Sequence, residues 1–351
     1  MKRAAHLTRA RLIAVFVASL ALLALALLIS PLLGVELDAR GHRHLVWLDL
    51  ARALAGGRGN ADAEIFFLAR LPRVLAAAVA GAGLAAAGVA FQALLRNPLA
   101  EPYTLGVSQG ATLGAVLGIR LGLSAALGGS AVPALAFLGG LGAVVTIWRL
   151  ARVGDALPSA TLLLAGITLG VICSSATMLL QYTASFNEAY RIVRWMMGGL
   201  DWIRYGDLSA AAIAVGVGLL VLLLHARDLN ALAAGRDAAA SVGVNVDRAM
   251  LLGHGAASLM VGAVIAVAGP IGFVGLLVPH ALRTIVGPDH RALLPAAALC
   301  GAAFVVLCDT LARLVLAPMA QFPVGVVTAL LGGPFFLSLL VREKGRGRLW
   351  G

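Results

Sequence analysis

Long apolar runs, separated by short polar segments, constrain this sequence more than any other feature. A helix needs about 20 predominantly apolar residues to cross the hydrocarbon core of a bilayer. A backbone in lipid must satisfy its own hydrogen bonds, which a helix does within one segment. The pattern therefore predicts an all-α polytopic membrane protein with ten transmembrane helices. The ten candidate spans are residues 12–33, 71–95, 105–126, 131–149, 160–182, 208–226, 249–269, 271–286, 292–317 and 323–341.

The composition argues against a soluble enzyme and against a nucleic-acid-binding domain. The 351 residues are 61% hydrophobic and 12% charged, whereas an ordinary soluble domain has roughly 25% charged residues. The net charge of +11 comes from basic residues in short groups at the ends of apolar runs, as in membrane flanks. We therefore expect one transmembrane domain over residues 1–351 that is surrounded by lipid and binds no nucleic acid.

The distribution of basic residues predicts the orientation in the membrane. An even number of spans puts both termini on one side. With the N-terminus inside, 16 of the 27 Lys and Arg residues lie on the cytoplasmic side, so the bias favours two cytoplasmic termini. Residues 34–69 then form a long external loop, and residues 228–248 lie in the cytoplasm.

The external loop contains HRHLVWLDLARAL, a mixed apolar and basic stretch that is typical of an interfacial helix. It also contains His42 and His44. Two histidines without a third ligand are more often exposed side chains than a metal site. We therefore predict no metal site here.

Two cytoplasmic segments have signals of defined structure. Residues 228–248 are rich in Ala, and Gly235 and Gly243 are expected breaks, so this segment is expected to form short helices that dock a partner. Between the second and third spans, Pro98 and Pro102 restrict the residues before them, which predicts a turn of fixed shape.

The segment between the fifth and sixth spans has an unusual composition. Residues 185–207 combine aromatic and basic side chains, and we expect a short helix there that ends at Gly198 and Gly199. An interfacial belt and the mouth of a pathway both fit this segment.

The third span has a glycine at every fourth position, which predicts close helix packing on one face. These residues are Gly106, Gly110, Gly114, Gly118 and Gly122.

Few ionisable side chains fall at membrane depth. Asp309 and Arg313 are four residues apart on the ninth span, where they share a helix face and are expected to pair. His254 and His280 are expected to occupy packed, hydrogen-bonded positions. The three cysteines lie inside apolar runs without CxxC spacing, so we expect them to pack as small apolar residues.

The chain lacks the motifs of an internal energy source or an active site. A P-loop requires GxxxxGK[ST], and neither Lys2 nor Lys344, the only lysines, follows such a loop. With Asp309 the only carboxylate close to membrane depth, a proton relay is not indicated. No HExxH motif or nucleophile elbow is present. The chain is therefore predicted not to be an enzyme by itself, and any ATP hydrolysis would occur on a separate subunit.

Several stretches resemble the FecCD family of bacterial ABC importer permeases, the type II importers for vitamin B12, haem and ferric siderophores. In the family's order, they cover most of residues 70–341. The stretches are RLPRVLAAAVAGAGLAAAGVAFQALLRNPLAEPYTLGVSQGA, LLLAGITLGVICSS, RWMMGGLDW, VAGPIGFVGLLVPHALR followed by DHRALLP, and FPVGVVTALLGGPFF.

The resemblance implies a type II ABC importer permease fold and an assembly in the bacterial inner membrane. Two copies of the chain would form a homodimer with a translocation pathway at the two-fold axis. Two ATPase subunits would dock on the cytoplasmic side, and a periplasmic substrate-binding protein on the other. ATP and Mg²⁺ would bind the ATPase subunits, so no cofactor is expected in this chain.

The resemblance also implies roles for individual residues. Asp237 stands where the importer pattern EAAxxxG has glutamate, which shortens that side chain. The implied sites are binding-protein docking at Arg70, Arg73 and Arg313; a cytoplasmic gate at Asn97, Pro98, Leu99, Ser159 and Ala160; and ATPase coupling at Asp237, Ala238, Ala239 and Gly243.

The cargo is predicted less directly than the architecture. The leading expectation is an iron chelate, either haem or a ferric siderophore, and cobalamin is the alternative within the family. A secondary transporter or channel that works without ATP is the alternative from another class. Polar and sulfur-containing side chains on the fifth span fit both pathway lining and ordinary packing; they are Ser174, Ser175, Met178 and Gln181.

Overall fold

Helices make up most of this protein, in agreement with the predicted all-α class. The computed structural model describes residues 9–37, 43–55, 60–101, 103, 106–123, 128–152, 154, 157–201, 203–316 and 322–344. The elements before Leu71 are α1 (Arg9–Ile29), β1 (Leu33–Leu37), β2 (Arg43–Trp47), α2 (Leu50–Ala55), α3 (Ala61–Glu64) and a π-helical segment (Ile65–Arg70).

The chain from Leu71 onward consists of helices with short connections. These helices are α4 (Leu71–Leu94), α5 (Val107–Arg120), α6 (Ala131–Ala151), α7 (Ser159–Tyr182), α8 (Phe186–Met196), α9 (Tyr205–Leu224), α10 (Ala226–Ala234), α11 (Arg236–Ser241), α12 (Val246–Ala268), α13 (Val274–Val286), α14 (His290–Leu316) and α15 (Val324–Lys344).

Every predicted span overlaps a helix, but the helices differ in length. Seven helical segments in the described chain are long and apolar enough to cross a membrane. The other three predicted spans correspond to α5 with 14 residues, to α13 with 13 residues and to α15, whose apolar part is Val324–Ser338. The structure thus supports a polytopic membrane protein, and the count of ten crossings stays a prediction.

Helix α4 lies at the centre of the bundle and packs against α9, α12, α13 and α14. Small residues allow these helices to approach each other closely. A Cβ at Gly81 would overlap the carbonyl of Gly301 on α14, and a Cβ at Gly88 would overlap the carbonyl of Gly275 on α13. By contrast, α1 packs mainly on α14 and exposes most of its apolar side chains.

The glycine stripe of the third span packs α5 against α6. A Cβ at Gly114 would overlap the carbonyl oxygen of Leu135, and a Cβ at Gly110 would lie 2.8 Å from the carbonyl oxygen of Gly139. The predicted close helix packing is confirmed at Gly110 and Gly114, where only hydrogen leaves room for the neighbouring backbone. Gly106 instead lies against Gly166 of α7, and Gly122 has no neighbour within 4 Å in the described chain.

The predicted interfacial helix over residues 42–54 is wrong in its first half. Residues Arg43–Trp47 form β2, which pairs antiparallel with β1 in the register Leu33↔Trp47, and only Leu50–Ala55 is helical. The first span also ends earlier than predicted, at Ile29, because the chain turns there and enters β1. A strand needs a partner for its backbone groups, and the partner in β1 is Leu33–Leu37, which the prediction divides between the end of the first span and the external loop.

The predicted second span begins at residue 71, where α4 begins with Pro72 in its first turn, but further helical backbone precedes it. The helix continues toward the N-terminus through the π-helical segment to Ala61, where the side chain of Asn60 accepts hydrogen bonds from the amides of Asp62 and Ala63. Pro72 lacks an N–H and cannot complete the regular bonding pattern inside a helix. The wider π-helical turn before Pro72 changes the hydrogen-bonding pattern, so the helix continues although Pro72 donates no bond.

The two ends of the bundle carry different structures. One end, the hairpin end, contains β1, β2, α2, α3, α8 and the beginning of α4. The opposite end, the short-helix end, contains α10, α11, the end of α4 and the beginning of α7. Each end brings together residues that are far apart in the sequence.

Candidate functional site

Asp309, on α14, is at the centre of a buried ion cluster at the hairpin end. Its carboxylate is fully buried and accepts hydrogen bonds from Arg73 Nε at 2.9 Å and from Arg313 Nε at 3.1 Å. The predicted pair with Arg313 is therefore confirmed, and Arg73 joins it from α4. Arg73 and Arg313 are only 7% and 9% exposed. Because a buried charge is costly unless it is paired, this carboxylate stabilises both cations.

Two further residues extend this group, which we call the Asp309 cluster. Asp201 accepts from Arg73 Nη1 at 2.6 Å and from Arg194 Nη2 at 2.7 Å. Ser30, just after α1, accepts from Arg313 Nη2 through its hydroxyl at 2.7 Å and its carbonyl at 3.0 Å. The cluster consequently ties α1, α4 and α14 to the segment that follows α8.

The three arginines predicted to dock a binding protein converge at this end. Arg70, Arg73 and Arg313 line one cavity of about 600 Å³. Arg70 is half-buried and donates to the carbonyl of Pro31 at 3.0 Å, at the base of the hairpin. All three side chains are therefore held by contacts within the chain, and their role in docking stays a prediction.

A second cavity, the Trp195 cavity, lies beside the first and has a volume of about 880 Å³. It is formed by α8, the segment after it and the neighbouring ends of α5, α6 and α12. The two cavities share Asp201, which lies between Arg73 and Arg194. Residues that line the Trp195 cavity include Ile119, Val132, Pro133, Arg191, Arg194, Trp195, Asp201, Arg204, Asp207 and Ala266.

The predicted short helix over residues 185–207 is confirmed as α8, which is followed by Gly198 with φ +69°. A capping box fixes its beginning, since Ser185 and Glu188 satisfy each other's backbone donors. Arg120 at the end of α5 donates to Glu188 at 2.6 Å. The Ser185 amide and hydroxyl, together with Arg120, lower the pKa of Glu188 below its usual range.

The two predicted gate segments meet at the short-helix end. The side chain of Asn97 accepts from the amide of Leu99 at 2.9 Å, which gives the proline-bounded turn its fixed shape. Ser159, at the beginning of α7, donates to the carbonyl of Leu94 at 3.2 Å, three residues before Asn97. The exposed members of the two segments are Pro98, Leu99 and Ala160.

The predicted short helices between residues 228 and 248 are confirmed as α10 and α11. They are separated by Gly235 with φ +132°, and Gly243 after α11 has φ +85°. These backbone conformations are strained for residues with a side chain, which explains both glycines. In the predicted coupling motif, Ala239 is buried, whereas Asp237, Ala238 and Gly243 are exposed.

Arg236 connects this exposed segment to the gate. Its guanidinium donates to the carbonyl of Leu157 at 2.9 Å and to the carboxylate of Asp247 at 2.8 Å. Leu157 lies two residues before Ser159. A continuous set of contacts therefore runs from α11 through the beginning of α7 to the end of α4.

The four candidate lining residues lie on the half of α7 nearest the hairpin end. Ser175 and Met178 are exposed, Met178 by 68%, and Ser174 and Gln181 are half-buried. Large apolar side chains continue this exposed face along the helix. They are Leu164, Ile167, Val171, Ile172, Leu179 and Tyr182.

One polar network at the short-helix end was not predicted. Asn230 on α10 donates to Asp289 at 2.9 Å and accepts from the backbone amide of His290 at 2.9 Å, which ties α10 to the beginning of α14. Arg291 donates to Asp289 and lowers the pKa of that carboxyl far below its usual range. The sequence signal was the polar run 287–291 next to an apolar span, but its partner in α10 lies 59 residues away.

The histidines outside this network have different surroundings. His254 is buried, and its Nδ1 accepts from Trp148 Nε1 at 2.9 Å, so the predicted packed position is confirmed. His280 is half-buried. His44 is exposed on β2, while His42 lies outside the described residues.

Comparisons with known proteins agree with this architecture. The FecCD transport family matches residues 22–342. A cobalamin import system permease protein, BtuC, from Halobacterium salinarum is 45% identical over 77% of this chain and 72% of its own length. A hemin transport system permease protein, HmuU, from Yersinia pestis is 42% identical over 80% of this chain and 84% of its own length.

A solved structure shows the same fold. It is an inward-facing conformation of a metal-chelate type ABC transporter, and it superposes with a TM-score of 0.79 at 28% identity, covering 94% of this chain and 99% of that chain. The described helices, the match along nearly the whole sequence and the shared fold lead to one assignment. The chain belongs to the FecCD transport family and is a membrane permease of the ABC type.

Proposed function

We propose that this chain is the permease subunit of an ATP-driven importer that moves an iron chelate, haem or a ferric siderophore, into the cytoplasm by alternating access. In this proposal the chain lies in a bacterial inner membrane with both termini in the cytoplasm. The hairpin end then faces the periplasm, and the short-helix end faces the cytoplasm. The family membership makes an ATP-independent carrier or channel the weaker alternative.

The observation that carries the proposal is the set of contacts at the short-helix end. Helix α11 presents Asp237 and Ala238 to solvent and is followed by Val242, which is 71% exposed. Arg236, on the same helix, is bonded to the chain just before the gate residue Ser159. A displacement of α11 by an ATPase subunit would therefore be transmitted directly to the gate.

A homodimer would cover the exposed face of α7. This face carries large apolar side chains and the candidate lining residues Ser175 and Met178. Two such faces around a two-fold axis would enclose a pathway between them. A periplasmic binding protein would deliver the cargo at the hairpin end, where Arg70, Arg73 and Arg313 converge.

Cobalamin is the second candidate cargo, because relatives of this chain include a permease named for cobalamin. The relative from Halobacterium salinarum, at 45% identity, is named a cobalamin permease, whereas the relative from Yersinia pestis, at 42%, is named a hemin permease. These identities are too similar to decide between the two cargoes. Transport of radiolabelled cyanocobalamin and of ⁵⁵Fe-haemin by the same proteoliposomes would distinguish them.

The test of the proposal is co-purification followed by transport. A tagged chain expressed in its native membrane should recover an ATPase subunit, and proteoliposomes that contain the complex and its binding protein should accumulate chelate only with ATP. Val242→Asp should lower the recovery of the ATPase, whereas Leu54→Asp, an equally apolar and exposed position on α2, should not. Transport driven by an ion gradient without ATP would refute the proposal.

Among the three arginines predicted to dock the binding protein, Arg70 is the best position for a test, because Arg73 and Arg313 are buried in the Asp309 cluster. Reversal of Arg73 to Glu would place three carboxylates together in the buried Asp309 cluster and would unfold this end of the molecule. Arg70 is half-buried and donates to the carbonyl of Pro31, outside the Asp309 cluster. Arg70→Glu should therefore reduce stimulation of ATPase activity by the binding protein while the chain stays folded. Unchanged stimulation would remove Arg70 from the docking surface.

A further inference from the structure

We propose that the Trp195 cavity binds the acidic groups of a chelate with an apolar body, and that this chain therefore favours anionic cargo over uncharged cargo. The inference rests on the proposed function, since it specifies the class of iron chelate. It is drawn from the shape, the apolar floor and the charge of the cavity.

The size and floor of the cavity suit a small organic molecule. Its volume of about 880 Å³ falls within the range of roughly 300–1,000 Å³ for ligand pockets. Ile119, Val132 and Ala266 belong to one buried apolar cluster, and Trp195 packs against it. These residues give the cavity an apolar floor with one aromatic ring, on which a planar apolar ligand can stack.

The rim of the cavity is positively charged. Arg191, Arg194 and Arg204 contribute three guanidinium groups, and Asp201 and Asp207 contribute two carboxylates. However, Asp201 also neutralises the buried Arg73, so its charge is shared. In the described part of the chain, no ion pair involves Arg204. A ligand with carboxylate groups would thus be able to pair with Arg204.

Arg204 lies beside the turn before α6. The nearest atoms to a Cβ built at Gly129 belong to its guanidinium, so this group lies against the glycine.

The candidate cargoes differ in the charge of the groups around their apolar bodies. Haemin carries carboxylates on an apolar macrocycle, and ferric complexes of citrate or catecholates are anions. Cobalamin has amide side chains around its ring. An acidic lobe of a binding protein would also complement the arginines, but it would leave the apolar floor unused. The combination of floor and rim therefore favours a small amphiphilic anion.

Fluorescence of Trp195 provides a direct test on the purified full-length permease. The chain has five tryptophans, so Trp195→Phe identifies the part of the signal that comes from this cavity. Haemin should quench that part. Iron octaethylporphyrin, which lacks the carboxylates, and cyanocobalamin should bind at least about tenfold more weakly, because charge-assisted hydrogen bonds are lost.

Two variants and a control connect the quenching to the arginines. The double variant Arg194→Gln with Arg204→Gln should raise the Kd for haemin about tenfold or more. Arg52→Gln, at an exposed arginine on α2 outside the cavity, should leave it unchanged. All of these side chains are exposed, and a thermal unfolding curve will confirm that each variant is folded.

Three results would overturn the inference. Equal quenching by haemin and iron octaethylporphyrin would show that the cavity does not distinguish ligands by their carboxylates. Absence of haemin quenching would show that the cavity does not bind haemin. If the double variant kept haemin affinity but lost stimulation by the binding protein, the cavity would be a partner contact instead. Failure of ATP-dependent transport would refute the proposed function separately, because the quenching experiment needs neither ATP nor a partner.

Discussion

The hairpin end and the short-helix end of this permease are held together by different forces. At the hairpin end, a fully buried carboxylate joins two buried arginines from separate helices. At the short-helix end, the contacts are hydrogen bonds to backbone carbonyls, exposed ion pairs such as Arg236 with Asp247, and the polar network around Asn230. Breaking a buried ion pair costs about 3–5 kcal/mol, whereas an exposed pair contributes about 0–1 kcal/mol.

This difference indicates which end can rearrange. The contacts between α11, α7 and α4 are individually weak and involve partly exposed groups, so several can be exchanged at low cost during a conformational change. The Asp309 cluster cannot open without leaving a buried charge unpaired. We therefore expect the helices at the hairpin end to move together, with the Asp309 cluster intact, while the contacts between α11, α7 and α4 change.

The largest expected effect is at the Asp309 cluster. Asp309→Asn removes the negative charge between Arg73 and Arg313 and should destabilise the chain by about 3–5 kcal/mol. Asp247→Asn, which breaks an exposed pair at the other end, should cost at most about 1 kcal/mol. Thermal unfolding in detergent, followed by the reactivity of the buried Cys173 and Cys308, measures both. Equal losses in the two variants would contradict the difference between the ends.

An intermediate effect is expected for Arg236→Ala. The variant loses the bond to the Leu157 carbonyl and the pair with Asp247, which together should cost about 1–2 kcal/mol. If the contact transmits motion to the gate, ATP-dependent transport should fall much more than stability does. Arg248→Ala is the matched control, because its exposed side chain makes no such contact in the described chain. Normal transport by Arg236→Ala would exclude this route.

A smaller, pH-dependent effect is expected at the beginning of α8. The pKa of Glu188 is lowered in the folded chain, mainly by the Ser185 amide. Its contribution to stability is therefore present above the unfolded-state pKa of about 4.3 and is lost as the pH falls through the lower folded-state value. The difference in unfolding temperature between the wild type and Glu188→Gln should shrink between pH 6 and pH 4 or below. A constant difference would mean that the charge contributes nothing to the cap.

The smallest effect on stability is expected for Asp237→Ala. The side chain is exposed, and a surface substitution of this kind usually changes stability by less than about 0.5 kcal/mol. Its effect on function tests the coupling role, which predicts weaker association with the ATPase. Asp237→Glu, which restores the side chain of the importer pattern, should keep or strengthen the association. A large loss of stability in Asp237→Ala would show that the residue has a structural role instead.

Many local features followed from the sequence alone. Apolar runs of sufficient length predicted where the helices lie, since a chain in lipid must satisfy its backbone bonds locally. The positions of Gly198, Gly235 and Gly243 predicted the breaks around α8, α10 and α11, because these conformations exclude most side chains. The spacing of Asp309 and Arg313 predicted their pairing. Each of these signals acts within a few residues.

Contacts between distant segments were decided only by the tertiary structure. Arg73 and Asp309 are 236 residues apart, and nothing in either local sequence shows that the arginine is buried against that carboxylate. The hairpin was misassigned for the same reason, because β2 depends on backbone groups in β1. The sequence by itself thus determined the helices, their breaks and the family resemblance. Only folding decided which charges are buried as partners and which line an open cavity, because burial depends on the packing of several helices together.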